Sequence, residues 1–196
     1  MSTYIKLGKI PRSPEERTAL LAQREREEEQ QDRRGISQVQ KRVIDFLIER
    51  KGYAPEDMEI NREFVIEVSP ARFTVNADII LKVEGTSLFF LKCVMSSPES
   101  WERQAVAFGR VAGPVQIPFA VVTDSEHAKV LDVVTGKPVS EGLDSLPDKE
   151  KAGEVLKGAV FAPLPEEKRE RERRILYAFD AITCTSTLAD PPAEHQ

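Results

Sequence analysis

The stretch Asn76 to Met95, NADIILKVEGTSLFFLKCVM, constrains this chain most. Ala77 to Val83 is rich in Ile, Leu and Val, and Leu88 to Met95 is almost wholly apolar. Between them, Glu84-Gly85-Thr86-Ser87 is polar and carries a Gly for a φ > 0 position. Two strands joined by a tight turn are predicted, covered on both faces because the apolar runs are nearly continuous. Two charges break the pattern, Asp78 in the first strand and Lys92 in the second. A charge inside a covered strand is costly unless it is paired or used, so candidate chemistry starts at these two residues.

The flanking segments supply the rest of an α/β domain. Ser37 to Lys51 carries a broad apolar face from Val39, Val43, Ile44, Phe46, Leu47 and Ile48, with Gly52 as a stop. Phe64 to Val68 reads as a strand, and Ser69-Pro70-Ala71 turns the chain into Arg72 to Val83. After Ser96-Ser97-Pro98-Glu99, a helix is predicted over Ser100 to Val111, burying Trp101, Ala105, Val106 and Phe108. Pro118 to Thr123 is a further buried strand. Lys129 to Val134 and Lys137 to Val139 flank a hairpin turn at Thr135-Gly136. This order predicts a central mixed sheet with helices on both faces, a three-layer α/β sandwich.

Around this core, spanning 36–140, the sequence is highly charged. Residues 1–35 are dominated by Glu, Arg and Gln, with Leu20, Leu21 and Ala22 as the only apolar cluster, and read as a solvated helix or arm. Residues 141–165 read as a polar connector with at most a short helix. Residues 166–182 form a last helix whose stripe is Ile175, Leu176, Phe179 and Ile182, its charged first half directed into solvent; 183–196 is a tail.

Several function classes lack their residues. Of the two histidines, His127 reads as a surface residue and His195 lies beside the C-terminus, so a His-based metal site or Ser-His-Asp triad has little to draw on. Cys93 and Cys184 form no C-x-x-C pair, and Cys93 reads as core. Thr135-Gly136-Lys137-Pro138 lacks the spacing of a P-loop, so no ATP-binding motif is present. No apolar run approaches the roughly 20 residues of a membrane span, and the first residues lack a signal-peptide core. A cytoplasmic location without membrane contact is expected. The formal charge of −5 argues against strong nonspecific DNA binding and leaves room for a local basic patch.

Four phrases together carry a resemblance: KRVIDFLIERKGY, NADIILKVEGTSLFFLKCV, WERQAVAFGRV and PFAVVTDSEHAKVLDVVTGKPV. From about Ser37 to Val139, and in the later ERERRILYAFDAI, the chain resembles the N-terminal nuclease domain of type I restriction enzyme R subunits. That domain belongs to the restriction-endonuclease-like, PD-(D/E)XK superfamily. The resemblance implies a divalent metal held by carboxylates, with a Lys two residues beyond the second one on the same strand face. Asp78 matches the first carboxylate and is the one candidate metal ligand. The second carboxylate position falls on Lys92, the catalytic Lys position on Val94, and the upstream helix glutamate position on Gln38; Gln104 keeps a polar residue typical of such sites.

Glu84, Lys82 and Glu67 are the candidates to replace the missing residues. Glu84 stands about 20 Å along the strand from Asp78, Lys82 shares the parity of Asp78, and Glu67 lies on a neighbouring strand. The alternative is an Asp78–Lys92 ion pair in place of carboxylate–metal–carboxylate. The expectation is a stand-alone domain with a degenerate nuclease site, serving as a non-catalytic nucleic-acid-binding or assembly module. Its partners would be DNA or restriction–modification proteins, with no cofactor. The alternatives are a Mg²⁺-dependent DNA endonuclease with a rearranged site, and a structural protein-interaction module.

Overall fold

A computed structural model describes residues 37–183. The arm expected over 1–35 and the tail beyond Thr183 lie outside the described residues.

The order of elements is α1 (Gln38–Lys51), β1 (Met58–Val68), β2 (Ala71–Val83), β3 (Thr86–Cys93), α2 (Glu102–Val111), β4 (Phe119–Thr123), β5 (Ala128–Asp132), β6 (Pro138–Glu141), α3 (Lys149–Gly158) and α4 (Glu166–Thr183). The six strands form one mixed sheet in sequence order. All neighbours are antiparallel except β3 and β4, which run parallel and are connected through α2. The expected meander of the first three strands is present.

Each face of the sheet has its own core, which makes the molecule a three-layer sandwich. On one face Ile79, Leu81, Phe89 and Leu91 pack with Val43 and Leu47 of α1 and Ala152 of α3. On the other, Ile80, Phe90 and Val122 pack with Val106 and Phe108 of α2 and Leu176 of α4. Successive residues of β2 and β3 thus serve opposite cores, which is why both strands read as unbroken apolar runs.

The β2–β3 turn is tighter than the four polar residues suggested. Val83 pairs with Thr86, so only Glu84 and Gly85 form the loop, at φ 50° and 78°. Two successive positive φ values match the twist of the flanking strands. Packing of α2 against the β5–β6 region requires Gly109, where an added Cβ would lie 2.9 Å from Val133 Cγ2.

Three expectations need correction. β1 begins at Met58, six residues before Phe64; it is an edge strand, and of residues 58–63 only Met58 is buried while Ile60, Arg62 and Glu63 are exposed, which hides the strand pattern. The segment 141–165 is part of the core: Leu143, Leu146 and Ala152 are buried in the first cluster, and α3 runs for ten residues. It is tied to the end of α1 by Lys51–Asp148 at 3.2 Å and by the Tyr53 hydroxyl donating to Pro147 O at 3.0 Å. One face of the charged first half of α4 also packs, while Glu166, Glu167, Lys168, Arg171 and Arg174 stay exposed. Glu172 is buried, and Arg169 donates to Val111 O and Gly113 O, carbonyls at the end of α2 with no partner inside that helix. No described helix is long and apolar enough to cross a membrane.

Candidate functional site at the β2–β3 hairpin

The β1–β2 ladder is interrupted at Asp78. Ile60 pairs with Ile79 and Arg62 with Ala77, while Asn61, between them, takes φ 52° and leaves the register. The Gln40 side chain fills the gap. From the buried stripe of α1, its Nε2 donates to Asp78 O at 2.5 Å and to Asn61 Oδ1 at 2.9 Å. A side-chain amide has taken the place of a strand N–H, satisfying a carbonyl that would otherwise be stranded.

On the other side of β2, Ile79 pairs with Leu91, and continuing that register by one residue sets Asp78 opposite Lys92. Directly opposed residues on an antiparallel pair point to the same face. Lys92 Nζ lies 3.2 Å from Asp78 Oδ2 and 3.4 Å from Oδ1, and Oδ2 also accepts the Cys93 backbone N–H at 2.7 Å. The two side chains are 16% and 19% exposed, so the pair is mostly, not fully, buried. The Lys92 ammonium stands 5.7 Å from the centre of the Trp101 ring, whose Nε1 is anchored on Ser96 Oγ at 2.9 Å. A cation over an indole face gains further stabilisation. Burial and the Asp78 charge both push the Cys93 thiol up, so it stays protonated at neutral pH.

The other sequence candidates fall elsewhere. Val94 is 5% exposed in the second core, its N–H donating to Thr123 O at 2.9 Å. Gln38 is exposed at the start of α1; Gln40, half a turn on, is the α1 residue that reaches Asp78. The signal was available: Gln40, Val43 and Leu47 share one helical stripe. Gln104 is half-buried on α2, and its Oε1 has no hydrogen-bond partner among the described residues. Lys82 is engaged with Glu59 and, by strand rise, stands about 13 Å from Asp78. Glu84 is exposed in the hairpin turn, and Glu67 faces Arg72 at the far end of β1. None of the three proposed replacements is brought to Asp78.

These residues do not fit a divalent metal. Among the described residues, no three His, Cys, Asp or Glu side chains gather where they could hold one. A divalent cation on Asp78 would also share the carboxylate with an ammonium. At about 4 Å separation and an effective dielectric near 20, +2 and +1 charges repel by about 8 kcal/mol. The arrangement instead neutralises Asp78 from within the chain. His127, on the β4–β5 loop, is exposed and paired with Asp124, whose carboxylate raises the imidazole pKa.

A family model described as "Type I restriction enzyme R protein N terminus" matches residues 37–147. Comparison with curated proteins and with solved structures found no match.

Proposed function

The chain belongs to the family of type I restriction enzyme R protein N-terminal domains, and from that membership we propose that it is a restriction-endonuclease-like domain whose nuclease site is degenerate. On this reading it is a non-catalytic module that binds nucleic acid or assembles with restriction–modification components. The observation that carries the proposal is the Lys92 ammonium 3.2 Å from Asp78 Oδ2. In the PD-(D/E)XK scheme that neighbourhood holds a metal and a second carboxylate, which activate water and stabilise the phosphate charge. Here the carboxylate is spent on Lys92 and on the Cys93 N–H. Val94, at the position of the catalytic Lys, offers neither a proton nor a charge.

Plasmid DNA incubated with the protein in Mg²⁺ or Mn²⁺ tests the reading. Uncut plasmid is expected, together with oligonucleotide or partner binding. Metal-dependent cleavage lost on Asp78→Asn would overturn it and favour the rearranged endonuclease.

A further inference from the structure

A second site lies where the charged half of α4 crosses α2, built from residues that the hairpin site does not use. A cavity of about 290 Å³ opens there, lined by Arg103 and Arg110 of α2 and by Lys168, Arg171 and Glu172 of α4. Four cations face one carboxylate.

Hydrogen bonds hold the floor of the cavity. Arg110 uses three separate nitrogens: Nε donates to Val133 O at 2.8 Å, Nη2 to Val134 O at 3.1 Å, and Nη1 to Glu172 Oε1 at 2.9 Å. Glu172 is buried, and its other oxygen lies 2.6 Å from Arg103 Nη2. The single carboxylate therefore orients the Arg110 guanidinium through a hydrogen bond, meets Arg103 as a close charge contact, and neutralises one of the four charges. Lys168 and Arg171, one helical turn apart on the rim, are exposed and make no ion pair among the described residues. Their neighbours on α4 behave differently: Arg169, Arg173 and Arg174 are each paired with Glu166 or Glu170. The pairing pattern of the helix thus leaves an excess of three positive charges at one cavity of a chain whose formal charge is −5.

We propose that this cavity binds a phosphate group, with Lys168 and Arg171 closing on an oxyanion seated above the Arg103–Glu172–Arg110 floor. Guanidinium forks match phosphate oxygens in geometry as well as charge, and an ammonium adds an adaptable point charge. An anion there also relieves the mutual repulsion of the four cations. Free phosphate and a nucleic-acid backbone share this chemistry. The inference stands whether or not the hairpin site cleaves DNA.

The test is a titration of the whole chain with inorganic phosphate and, separately, with a short single-stranded oligonucleotide. Backbone NMR shifts are followed at low ionic strength, against sodium chloride at matched ionic strength. Saturable shifts at the α2–α4 crossing are expected with phosphate and not with chloride. In the double variant Lys168→Ala/Arg171→Ala, which leaves Arg103, Glu172 and Arg110 in place, the phosphate dissociation constant should rise about tenfold or more, one decade per 1.4 kcal/mol of lost charge-assisted contact. An oligonucleotide that binds more tightly than phosphate and moves the same resonances identifies the backbone as the source; one that does not identifies free phosphate. Equal response to chloride, or a double variant that binds phosphate as the unmodified chain does, overturns the proposal.

Discussion

Lys92 Nζ lies 3.2 Å from Asp78 Oδ2 across the β2–β3 ladder, and that same oxygen accepts the Cys93 N–H at 2.7 Å. One carboxylate oxygen therefore serves as counter-ion and as partner for a strand amide. Removing the ammonium leaves a largely buried charge with one hydrogen bond. Removing the carboxylate leaves the ammonium and the amide without their acceptor.

This double role makes the pair energetically coupled. Lys92→Met should destabilise the fold by about 1–3 kcal/mol, below the 3–5 kcal/mol of a fully enclosed pair because water reaches both side chains. Adding Asp78→Asn to Lys92→Met should recover part of that loss, since an amide oxygen can still accept the Cys93 N–H without carrying charge. Urea denaturation of the two single variants and the double variant measures the coupling. A coupling energy near zero would show that the pair contributes nothing.

Divalent cations provide the second check. A ligand stabilises a fold only by binding it, so Mg²⁺ should leave the melting temperature where sodium chloride of equal ionic strength leaves it. Lys92→Glu should behave oppositely. It sets a second carboxylate opposite Asp78, lowers stability without divalent ions through like-charge repulsion, and regains stability as Mg²⁺ is added. A rise in melting temperature of the unmodified protein with Mg²⁺ would contradict the ion-pair description.

How much of this was legible in the sequence depended on whether burial and polarity agreed. The hairpin was readable because both faces of β2 and β3 are covered, whereas the Asp78–Lys92 opposition was legible only through the family resemblance, which supplies the register between the strands. The first half of β1 was hidden because it is an edge strand in which only Met58 is buried and Ile60, Arg62 and Glu63 are exposed. Gln38, two residues before Gln40, stood in its place because helix phase, not residue type, decides which amide faces the sheet. α3 buries Ala152 and half-buries Val155 and Leu156 within a run of Lys and Glu, too thin a stripe to distinguish it from a connector. In the first half of α4 the packing is done by charges, through Arg169 and Glu172, which an apolar pattern cannot reveal.

That last point predicts the effect of truncation. Ending the chain at Pro165 removes the buried Leu176, the Glu172 carboxylate that pairs with Arg110, and the Arg169 contacts with the end of α2. A loss of more than about 3 kcal/mol is expected, since burying one Leu contributes about 1.5–3 kcal/mol and an unpaired Arg110 adds to it. Thermal denaturation of the shortened chain decides. An unchanged melting temperature would mean that α4 is an appendage, as its charge had suggested.

The last prediction concerns alkaline pH and Tyr53, which joins α1 to the start of α3. Its ring is 2% exposed, and burial, reinforced by the negative charges of Asp148 and Asp57, pushes its pKa from 10.0 up to about 12. In the unfolded chain the phenol ionises near pH 10; in the folded chain it holds its proton for about two further units. Between those values the folded state binds more protons than the unfolded one, so stability falls as pH rises. The contribution is fully present below pH 10 and is lost as pH passes through about 12. Two units correspond to about 2–3 kcal/mol. Tyr53→Phe should flatten this part of the stability–pH curve, at a cost of about 1 kcal/mol at neutral pH for the lost hydrogen bond to Pro147 O. Urea midpoints of both proteins at closely spaced pH values from 9 upward make the comparison. A Tyr53→Phe protein that loses stability over pH 10–12 as steeply as the unmodified one would assign the alkaline transition to other groups.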